Sequence, residues 1–348
     1  MASTGQEVVG VDTARVTSWF EENIEGFQAP MTVSLLAGGH SNLTYRVVDA
    51  AGTAYALRRP PTGAVLATAH DMAREHKIIS GVGRTDVPVP PALGLCEDEA
   101  VNDAPFYVMG FVDGVVLDNA EKVEEHFADE SLRRIAANDV VTDLAALHAI
   151  EPDDIGLGDL GRREAYLARQ MKRWRTQWEK SKTRELPLME ELADTLESDM
   201  PEQVGSGIVH GDYRLGNMLT AKDGHVAAIL DWELCTLGDP LADVGYLLNN
   251  WAQPGEEGPT SRGAAAAPTA AGGFSTREEL IERYAELSGR DLSGIGYYRA
   301  FQYWRLAAIV EGVLARYLKG VMGADADTDA FKAQVEGLAV AARDVLDT

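Results

Sequence analysis

The chain contains little cysteine, no long apolar run and comparatively few basic residues. Cys96 and Cys235 are its only cysteines, too few for a disulfide framework or a cysteine-rich metal site, which favours a reducing cytoplasm. No apolar stretch approaches the roughly 18 residues that a membrane-spanning helix needs, so we expect no membrane partner. The first residues have neither a basic nor an apolar character, so we expect no secretion signal.

Acidic residues outnumber basic ones, 55 against 31, which gives a net charge of −24. Because nucleic acid binding needs a basic surface, this balance argues against nucleic acid as a partner. A length of 348 residues with 45% hydrophobic residues is typical of a folded protein with one or two domains. The acidic surface either serves solubility or attracts a cationic substrate.

One segment, residues 161–184, departs from this acidic trend. It holds nine basic residues against two acidic ones, Glu164 and Glu179. The basic residues are Arg162, Arg163, Arg169, Lys172, Arg173, Arg175, Lys180, Lys182 and Arg184. Two interpretations remain open: an exposed helix that balances neighbouring acids, or a surface that binds an anionic ligand.

The order of predicted elements divides the chain into a β-rich part and a helical part. Five strand-like runs are expected at 31–37, 43–49, 54–59, 92–96 and 106–111, with helices at 11–28 and 67–80. Beyond residue 113 the apolar spacing is helical, and closing helices are expected at 297–321 and 330–346. We therefore predict an N-terminal nucleotide-binding lobe at 1–112 and a C-terminal catalytic and substrate lobe at 113–348. The Gly-, Ala- and Pro-rich stretch 255–273 predicts a mobile loop.

The strongest chemical signal lies in the segment His210-Gly211-Asp212-Tyr213-Arg214-Leu215-Gly216-Asn217. An apolar run and Asp231 follow it, the latter fourteen residues after Asn217. This is the layout of a kinase catalytic loop and its metal-binding aspartate. Asp212 is the predicted base that accepts the proton of an attacking hydroxyl, and Asn217 and Asp231 are predicted ligands of Mg²⁺ on the ATP phosphates. The simpler alternatives are a turn aspartate and two capping residues.

Arg214 lies inside this loop, where its guanidinium can contact the transferred phosphate or an anionic substrate. His210 is interpreted as a residue that orients the loop, and His148 as a packing or capping residue. Further along, Asp239 is predicted to cap a helix that begins at Pro240. Asp243 is one turn on and is predicted to hold the catalytic loop in place.

Two N-terminal features predict nucleotide contacts. Gly39, Ser41 and Asn42 belong to a turn between two strands, whose backbone N–H groups can cradle phosphates, although an ordinary Gly-Gly turn fits equally well. Arg58 stands where the phosphate-binding lysine of a kinase strand is expected, with Glu75 on the next helix as its ion-pair partner. The alternative is an ordinary surface pair.

Other catalytic signatures are missing from the sequence. It has no H-E-x-x-H zinc motif, no G-x-S-x-G nucleophile elbow and no G-x-x-x-x-G-K-[ST] phosphate loop. No A-P-E element follows Asp231, which argues against a protein kinase.

These motifs resemble those of the aminoglycoside phosphotransferase/choline kinase superfamily over roughly residues 30–320. The resemblance rests on Gly39-x-Ser41-Asn42-x-Thr44-Tyr45, Leu57-Arg58, the His210–Asn217 loop and Leu230-Asp231-Trp232-Glu233. The continuation through Gly238-Asp239-Pro240-Leu241-Ala242-Asp243 is similar to a branch whose kinase-like domains are associated with acyl-CoA dehydrogenases.

The resemblance implies a bilobal protein-kinase-like α+β fold, with a five-stranded antiparallel sheet plus helix in the small N-lobe and a larger, mainly helical C-lobe. It implies ATP and Mg²⁺ as cofactors, Asp212 as base, and Asn217 and Asp231 as metal ligands. It further implies a hydroxyl acceptor on a hydroxyacyl-CoA-like small molecule, which the basic segment 161–184 favours because CoA is anionic. An aminoglycoside or macrolide phosphotransferase and a nucleotide-binding pseudokinase remain as alternatives.

Overall fold

The computed structural model describes residues 8–37, 42–62, 71–256, 267–321 and 327–347. The chain forms two compact units. The first comprises Met1–Asp113 and Ala227–Glu233, and the second comprises Gly114–Val226 and Leu234–Thr348. The short return segment Ala227–Glu233 brings Asp231 into the first unit, which matters for the site below.

The first unit is built on a five-stranded antiparallel sheet in the order β1-β2-β3-β5-β4. Its strands are β1 (Thr32–Ala37), β2 (Leu43–Val48), β3 (Ala54–Arg59), β4 (Ala92–Cys96) and β5 (Phe106–Gly110). Alternation along β2 explains its pairing, since Tyr45 and Val47 are buried whereas Arg46 between them is exposed. The predicted five strands are confirmed, with ends that differ by one residue at most.

Three helices accompany this sheet: α1 (Thr13–Asn23), α2 (Met72–Val82) and α3 (Glu99–Asn102). Phe20 of α1 is fully buried against the sheet, and Trp19 meets Phe106 edge to face at 4.9 Å between ring centroids. Helix α1 ends five residues earlier than predicted, because Ile24 is already extended and Gly26 has φ +79°.

Helix α2 carries Glu75 in its first turn, next to the N-cap Asp71, whose side chain accepts from the N–H of Arg74. The helix continues to Val82, two residues beyond the predicted end, and residues 67–70 of the prediction lie outside the described part of the chain. The single turn of α3 was not predicted, since four residues are too few for a periodic signal.

The second unit is mainly helical. Its helices are α4 (Ala120–His126), α5 (Glu130–Ala149), α6 (Tyr166–Ser181), α7 (Pro187–Ser198), α8 (Leu241–Asn249), α9 (Arg277–Ser288), α10 (Ile295–Leu318) and α11 (Thr328–Leu346). Short strands lie among them: β6 (Gly207–Val209), β7 (Met218–Thr220) and β9 (Thr236–Gly238), while β8 (Val226–Ile229) leads back into the first unit. Helix α10 forms the centre, with Phe301, Trp304 and Leu314 fully buried, and packs on α6, α8 and α11. The closing helices predicted at 297–321 and 330–346 correspond to α10 and α11.

The predicted loop at 255–273 is more ordered at its C-terminal end than the sequence indicates. Pro268–Ala271 form a 3₁₀ turn, and the hydroxyl of the buried Thr269 donates to the carbonyl of Ala252 at 2.8 Å. The guanidinium of Arg133 donates to the carbonyls of Ala271 and Gly272, each at 3.0 Å. Distant residues thus anchor 268–272, while the mobility of the loop stays a prediction; residues 257–266 lie outside the described ranges.

None of the helices in the described ranges combines the length and apolar character that crossing a membrane requires.

Asp143 on α5 gives the fold a pH-dependent contribution to stability. Burial, together with the neighbouring Asp139, raises the pKa of Asp143 to about 7 from an ordinary 3.8. The folded chain thus holds a proton that the unfolded chain releases, so stability falls as the pH rises through that interval.

We therefore expect Asp143→Asn to raise stability above pH 7, on the order of 1 kcal/mol after allowing for solvent around a half-buried carboxyl, and to have little effect near pH 4. Thermal unfolding at several pH values measures this difference. The exposed Asp154→Asn serves as the control, and an Asp143→Asn curve parallel to the parent at every pH would contradict the assignment.

Candidate active site

The loop after β6 is shaped by a close backbone approach at Gly211. Its φ is +86°, and a Cβ there would come within 2.9 Å of the carbonyl oxygen of Leu234. Only glycine fits both conditions. The turn then passes through Asp212 into a 3₁₀ turn, Leu215–Asn217, which leads directly into β7.

Asp243 on α8 fixes the start of this loop. Its Oδ2 accepts from the backbone N–H of His210 at 2.6 Å, and its Oδ1 accepts from the N–H of Gly211 at 2.9 Å. The ring of the buried His148 lies 3.3 Å from Asp243 Oδ2 and 2.7 Å from the hydroxyl of Tyr284. The predicted role of Asp243 in holding the loop is confirmed, and His148 acts as a buried packing residue behind it.

Helix α8 begins at Leu241, one residue later than predicted, and Asp239 still contacts its start, since its Oδ1 accepts from the N–H of Leu241 at 3.1 Å. Its Oδ2 also accepts from the hydroxyl of Tyr298 at 2.7 Å. Both contacts are buried, so the aspartate serves the structure around the loop.

Asp212 is held in a fixed orientation by Asn217. The Nδ2 of Asn217 donates to Asp212 Oδ2 at 2.7 Å and to the Asp212 carbonyl at 2.9 Å. The backbone N–H of Asp212 donates to Nδ1 of His210 at 3.3 Å, so that nitrogen carries no proton. His210 therefore orients the loop, as predicted, and the Asp212 side chain keeps 21% of its surface exposed.

Arg214 lies beside the same carboxylate, with its Nε 3.5 Å from Asp212 Oδ1 and its side chain 37% exposed. The guanidinium can thus share an anionic ligand with this loop while it offsets the charge of Asp212. The amide nitrogen of Asn217 is used on Asp212, which leaves the amide oxygen as its group for binding a cation.

Tyr246 is a residue near the base that the sequence did not indicate. Its hydroxyl hydrogen-bonds to Asp212, and burial together with that carboxylate raises the pKa of Tyr246 well above its ordinary value. The phenol therefore stays protonated and donates to the carboxylate. Its spacing of three residues from Asp243 on α8 places both on one helix face, which is the signal that could have found it.

In the first unit, Arg58 is surrounded by carboxylates. Its Nε lies 3.0 Å from Glu75 Oε2, its Nη2 donates to Asp231 Oδ1 at 2.7 Å, and the same Nη2 is 4.0 Å from Glu233 Oε2. The predicted pair between Arg58 and Glu75 is present and mostly buried, with Arg58 14% and Glu75 2% exposed. It is therefore not an ordinary surface pair.

Two further side chains fix Glu75. Asn42 Nδ2 donates to Glu75 Oε1 at 2.8 Å, and the Tyr107 hydroxyl donates to Glu75 Oε2 at 3.1 Å. Tyr107 was missed by the sequence reasoning, yet it is the cross-strand partner of Arg58 in the β3–β5 register. Gly39 and Ser41, predicted for the same loop as Asn42, lie outside the described residues.

The cluster carries more negative than positive charge, because three carboxylates share the guanidinium of Arg58. Burial raises the pKa of Glu75 despite Arg58, while for Arg58 the surrounding anions outweigh burial and raise its pKa. Asp231 itself has φ +64°, an unusual conformation for a residue other than glycine. Such excess charge and local strain are typical of a functional position.

Eight of the nine basic residues of 161–184 separate into two sets. Arg163, Arg175, Lys182 and Arg184 form ion pairs; Arg175, for example, lies 2.7 Å from both Asp194 and Glu197 of α7. Arg169, Lys172, Arg173 and Lys180 have no carboxylate at ion-pair distance among the described residues and share one face of α6. The first set balances neighbouring acids, as one interpretation predicts, whereas binding of an anion by the second set stays a prediction.

Comparisons with known proteins agree with this geometry. The model of the Phosphotransferase enzyme family matches residues 32–283. Acyl-CoA dehydrogenase family member 10 of Mus musculus is 33% identical over 84% of this chain, and family member 11 of Gallus gallus is 31% identical over 89%. The chain spans only 27% and 40% of those two relatives.

Solved structures give the same result. A Ralstonia eutropha protein assigned as an aminoglycoside phosphotransferase superposes with a TM-score of 0.80 at 33% identity, covering 96% of this chain and 98% of that one. A choline kinase from Cryptosporidium parvum shares the fold at 12% identity, with a TM-score of 0.65 and 97% of each chain covered. The predicted protein-kinase-like fold and the predicted superfamily are confirmed. The chain belongs to the Phosphotransferase enzyme family.

Proposed function

We propose that this kinase transfers the γ-phosphoryl group of ATP, with Mg²⁺, to a hydroxyl group of a hydroxyacyl-CoA-like metabolite. The observation that carries the proposal is the position of the Asp212 carboxylate. Asn217 donates a hydrogen bond to Oδ2 of this carboxylate, and part of the Asp212 side chain remains exposed. A fixed, accessible carboxylate is the group that phosphoryl transfer to an alcohol requires.

In the proposed reaction, a carboxylate oxygen of Asp212 accepts the proton of the acceptor hydroxyl as its oxygen attacks the γ-phosphorus. The bond between the γ-phosphorus and the β–γ bridging oxygen breaks, and ADP leaves with the electron pair. Tyr246 and Asn217 orient the carboxylate, and Arg214 offsets negative charge on the transferred group. The proton on Asp212 is then released to water.

Asn217 and Asp231 are the proposed side-chain ligands of Mg²⁺. Their amide and carboxylate oxygens are donors that this hard cation accepts, and the excess negative charge around Arg58 favours a divalent cation. No group of three or more His, Cys, Asp or Glu suited to a metal occurs in the described ranges. When bound, the ion offsets phosphate charge.

Residues 1–112 are the proposed nucleotide-binding lobe, and 113–348 the proposed catalytic and acceptor lobe. Arg58 is proposed to contact the ATP phosphates in place of the usual lysine, positioned by Glu75, Asn42 and Tyr107. Gly39 and Ser41 complete the proposed phosphate contacts through their loop.

The acceptor is proposed to be anionic because α6 presents an unpaired basic face in a chain of net charge −24. A cationic aminoglycoside would be repelled by this face. Similarity to the Ralstonia eutropha protein nevertheless makes an antibiotic the second candidate. The carboxylates Asp212 and Asp231 and the amide Asn217 argue against a pseudokinase, since a pseudokinase has no need of them.

The test is ADP release from Mg·ATP with a panel of hydroxyacyl-CoAs, aminoglycosides, macrolides and amino alcohols, using Asp212→Asn as the blank. We expect turnover that depends on Asp212 with the hydroxyacyl-CoAs alone. Turnover with an antibiotic class only would replace the proposed acceptor, and ATP binding without turnover on any class would favour the pseudokinase.

A further inference from the structure

The unpaired basic face of α6 borders a cleft of about 470 Å³, which is lined by Arg169, Lys172, Arg173, Thr176, Gln177 and Lys180. Every one of these side chains is a hydrogen-bond donor and none is acidic. Because the chain has 24 more acidic than basic formal charges, a cleft with four cations and no carboxylate in its lining is unexpected for a merely solvated surface.

Trp174, the residue after Arg173, stacks with two cations. The guanidinium carbons of Arg173 and Arg305 lie 5.1 Å and 5.4 Å from the centroid of its ring, so one indole holds a cation from α6 and another from α10. The indole N–H of Trp174 donates to Gln170 at 3.1 Å, which fixes the ring plane. Both guanidinium groups keep their positive charge while they stack on the ring, and each can still attract an anion.

Two of the guanidinium groups have donors that the described residues leave unused. Nη1 of Arg169 and Nε of Arg305 are shielded from solvent and have no hydrogen-bond partner in the described part of the chain. Two of their hydrogen bonds go to neutral oxygens: Arg169 Nη2 donates to the carbonyl of Arg162 at 2.6 Å, and Arg305 Nη1 donates to Gln302 Oε1 at 2.9 Å. A buried, unsatisfied guanidinium donor is costly, so such groups commonly serve a ligand.

Two of these cations influence buried tyrosines of the second unit. Burial raises the pKa of Tyr166 to about 12, and the positive charges of Arg169 and Arg305 both act to lower it. Arg305 and Arg214 likewise both act on Tyr246, the residue that hydrogen-bonds to Asp212. Helix α10 packs on α6 and on α8, the helices that carry Arg169 and Tyr246, so one helix links the basic face with the surroundings of Asp212.

We propose that Arg169, Arg173 and Arg305 around Trp174 form a subsite for the phosphate groups of a CoA-type acceptor. This inference rests on the proposed function, because it assigns the anionic part of the same acceptor. Arginine suits the role, since its planar guanidinium forms paired hydrogen bonds with phosphate oxygens.

The test is calorimetric binding of CoA, 3′-dephospho-CoA, pantetheine and inorganic pyrophosphate to the full chain and to Arg169→Gln, Arg173→Gln and Arg305→Gln. Arg175→Gln is the matched control, since it removes the same charge from the same helix at a side chain already paired with Asp194 and Glu197. Arg173 is exposed, so its variant is expected to fold even if Arg305→Gln does not.

We expect CoA to bind more tightly than pantetheine, and each subsite variant to weaken CoA binding by about 10-fold or more, the usual effect of a lost charge-assisted hydrogen bond. Pantetheine binding should stay unchanged, as should CoA binding to Arg175→Gln. The 3′-dephospho-CoA and pyrophosphate arms identify which phosphate the subsite holds.

Equal binding of CoA and pantetheine by the parent chain, or equal loss in Arg173→Gln and Arg175→Gln, would overturn the subsite. Arginine-dependent CoA binding without turnover on any hydroxyacyl-CoA would instead uphold the subsite and reject the proposed acceptor. The two proposals can thus fail separately.

Discussion

Replacing Asp212 by asparagine is expected to lower kcat by about 10²- to 10⁴-fold, the range that general base catalysis contributes. The amide has nearly the shape of the carboxylate, but its NH2 group cannot accept a hydrogen bond, so it loses the contact with Asn217 or with Arg214, and it cannot accept the hydroxyl proton. Because the side chain is partly exposed, we expect the melting temperature to change by no more than a few degrees.

Steady-state kinetics and thermal unfolding on the same preparation separate these two effects. The exposed Asp223→Asn carries the same charge change on the second unit and should retain parental activity. An Asp212→Asn enzyme with parental kcat would exclude Asp212 as the base. If the loss of kcat is accompanied by unfolding, the loss has a structural cause, namely the altered contact with Asn217.

Replacing Asp231 by alanine is expected to abolish the stabilisation that Mg·ATP gives to the folded chain. A ligand at 100 times its Kd stabilises by about 2.7 kcal/mol, so its loss is readily visible as a missing shift in melting temperature. The substitution removes the proposed metal ligand and the 2.7 Å contact with Arg58. Alanine at φ +64° adds a small strain of its own, about 1 kcal/mol.

That strain lowers the melting temperature with and without nucleotide, so the difference between the two conditions is the quantity to compare. The exposed Asp86→Ala in the same unit is the control and should keep the full shift. Asp231 would be removed from the proposed site if the Asp231→Ala variant kept a normal shift in melting temperature with Mg·ATP, and kept it also when other divalent ions replace Mg²⁺.

Local patterns in the sequence were sufficient to predict most of the fold and part of the site. The five strands follow from alternating burial and turn residues, and the Asp243 contact follows from its position one turn into α8. Arg58 and Glu75 could be paired because a strand and the next helix bring them together. Each of these inferences depends on residues close in the chain or on a known order of elements.

The rest depended on contacts between distant residues. In the sequence, Tyr246 and Tyr107 resemble ordinary core aromatic residues. In the structure, α8 brings the hydroxyl of Tyr246 to Asp212, and the β3–β5 register brings the hydroxyl of Tyr107 to Glu75. The sequence gives no partner for Arg175, whereas the structure pairs it with Asp194 and Glu197 of α7. Arg305 is 131 positions from Trp174 in the numbering of the sequence, so no local pattern could join them. Tertiary packing decides all of these assignments.

The central claim is that the chain moves phosphate from ATP onto the hydroxyl of an acyl-CoA. It is tested most directly by incubating the full chain with Mg·ATP and a hydroxyacyl-CoA, and then determining the mass of the acyl-CoA product and the position of its phosphorus by ³¹P NMR. We predict a phosphate ester on the acyl chain, formed in proportion to ADP and missing with Asp212→Asn. ADP release with an unmodified acyl-CoA, or a product of equal yield from Asp212→Asn, would contradict the claim.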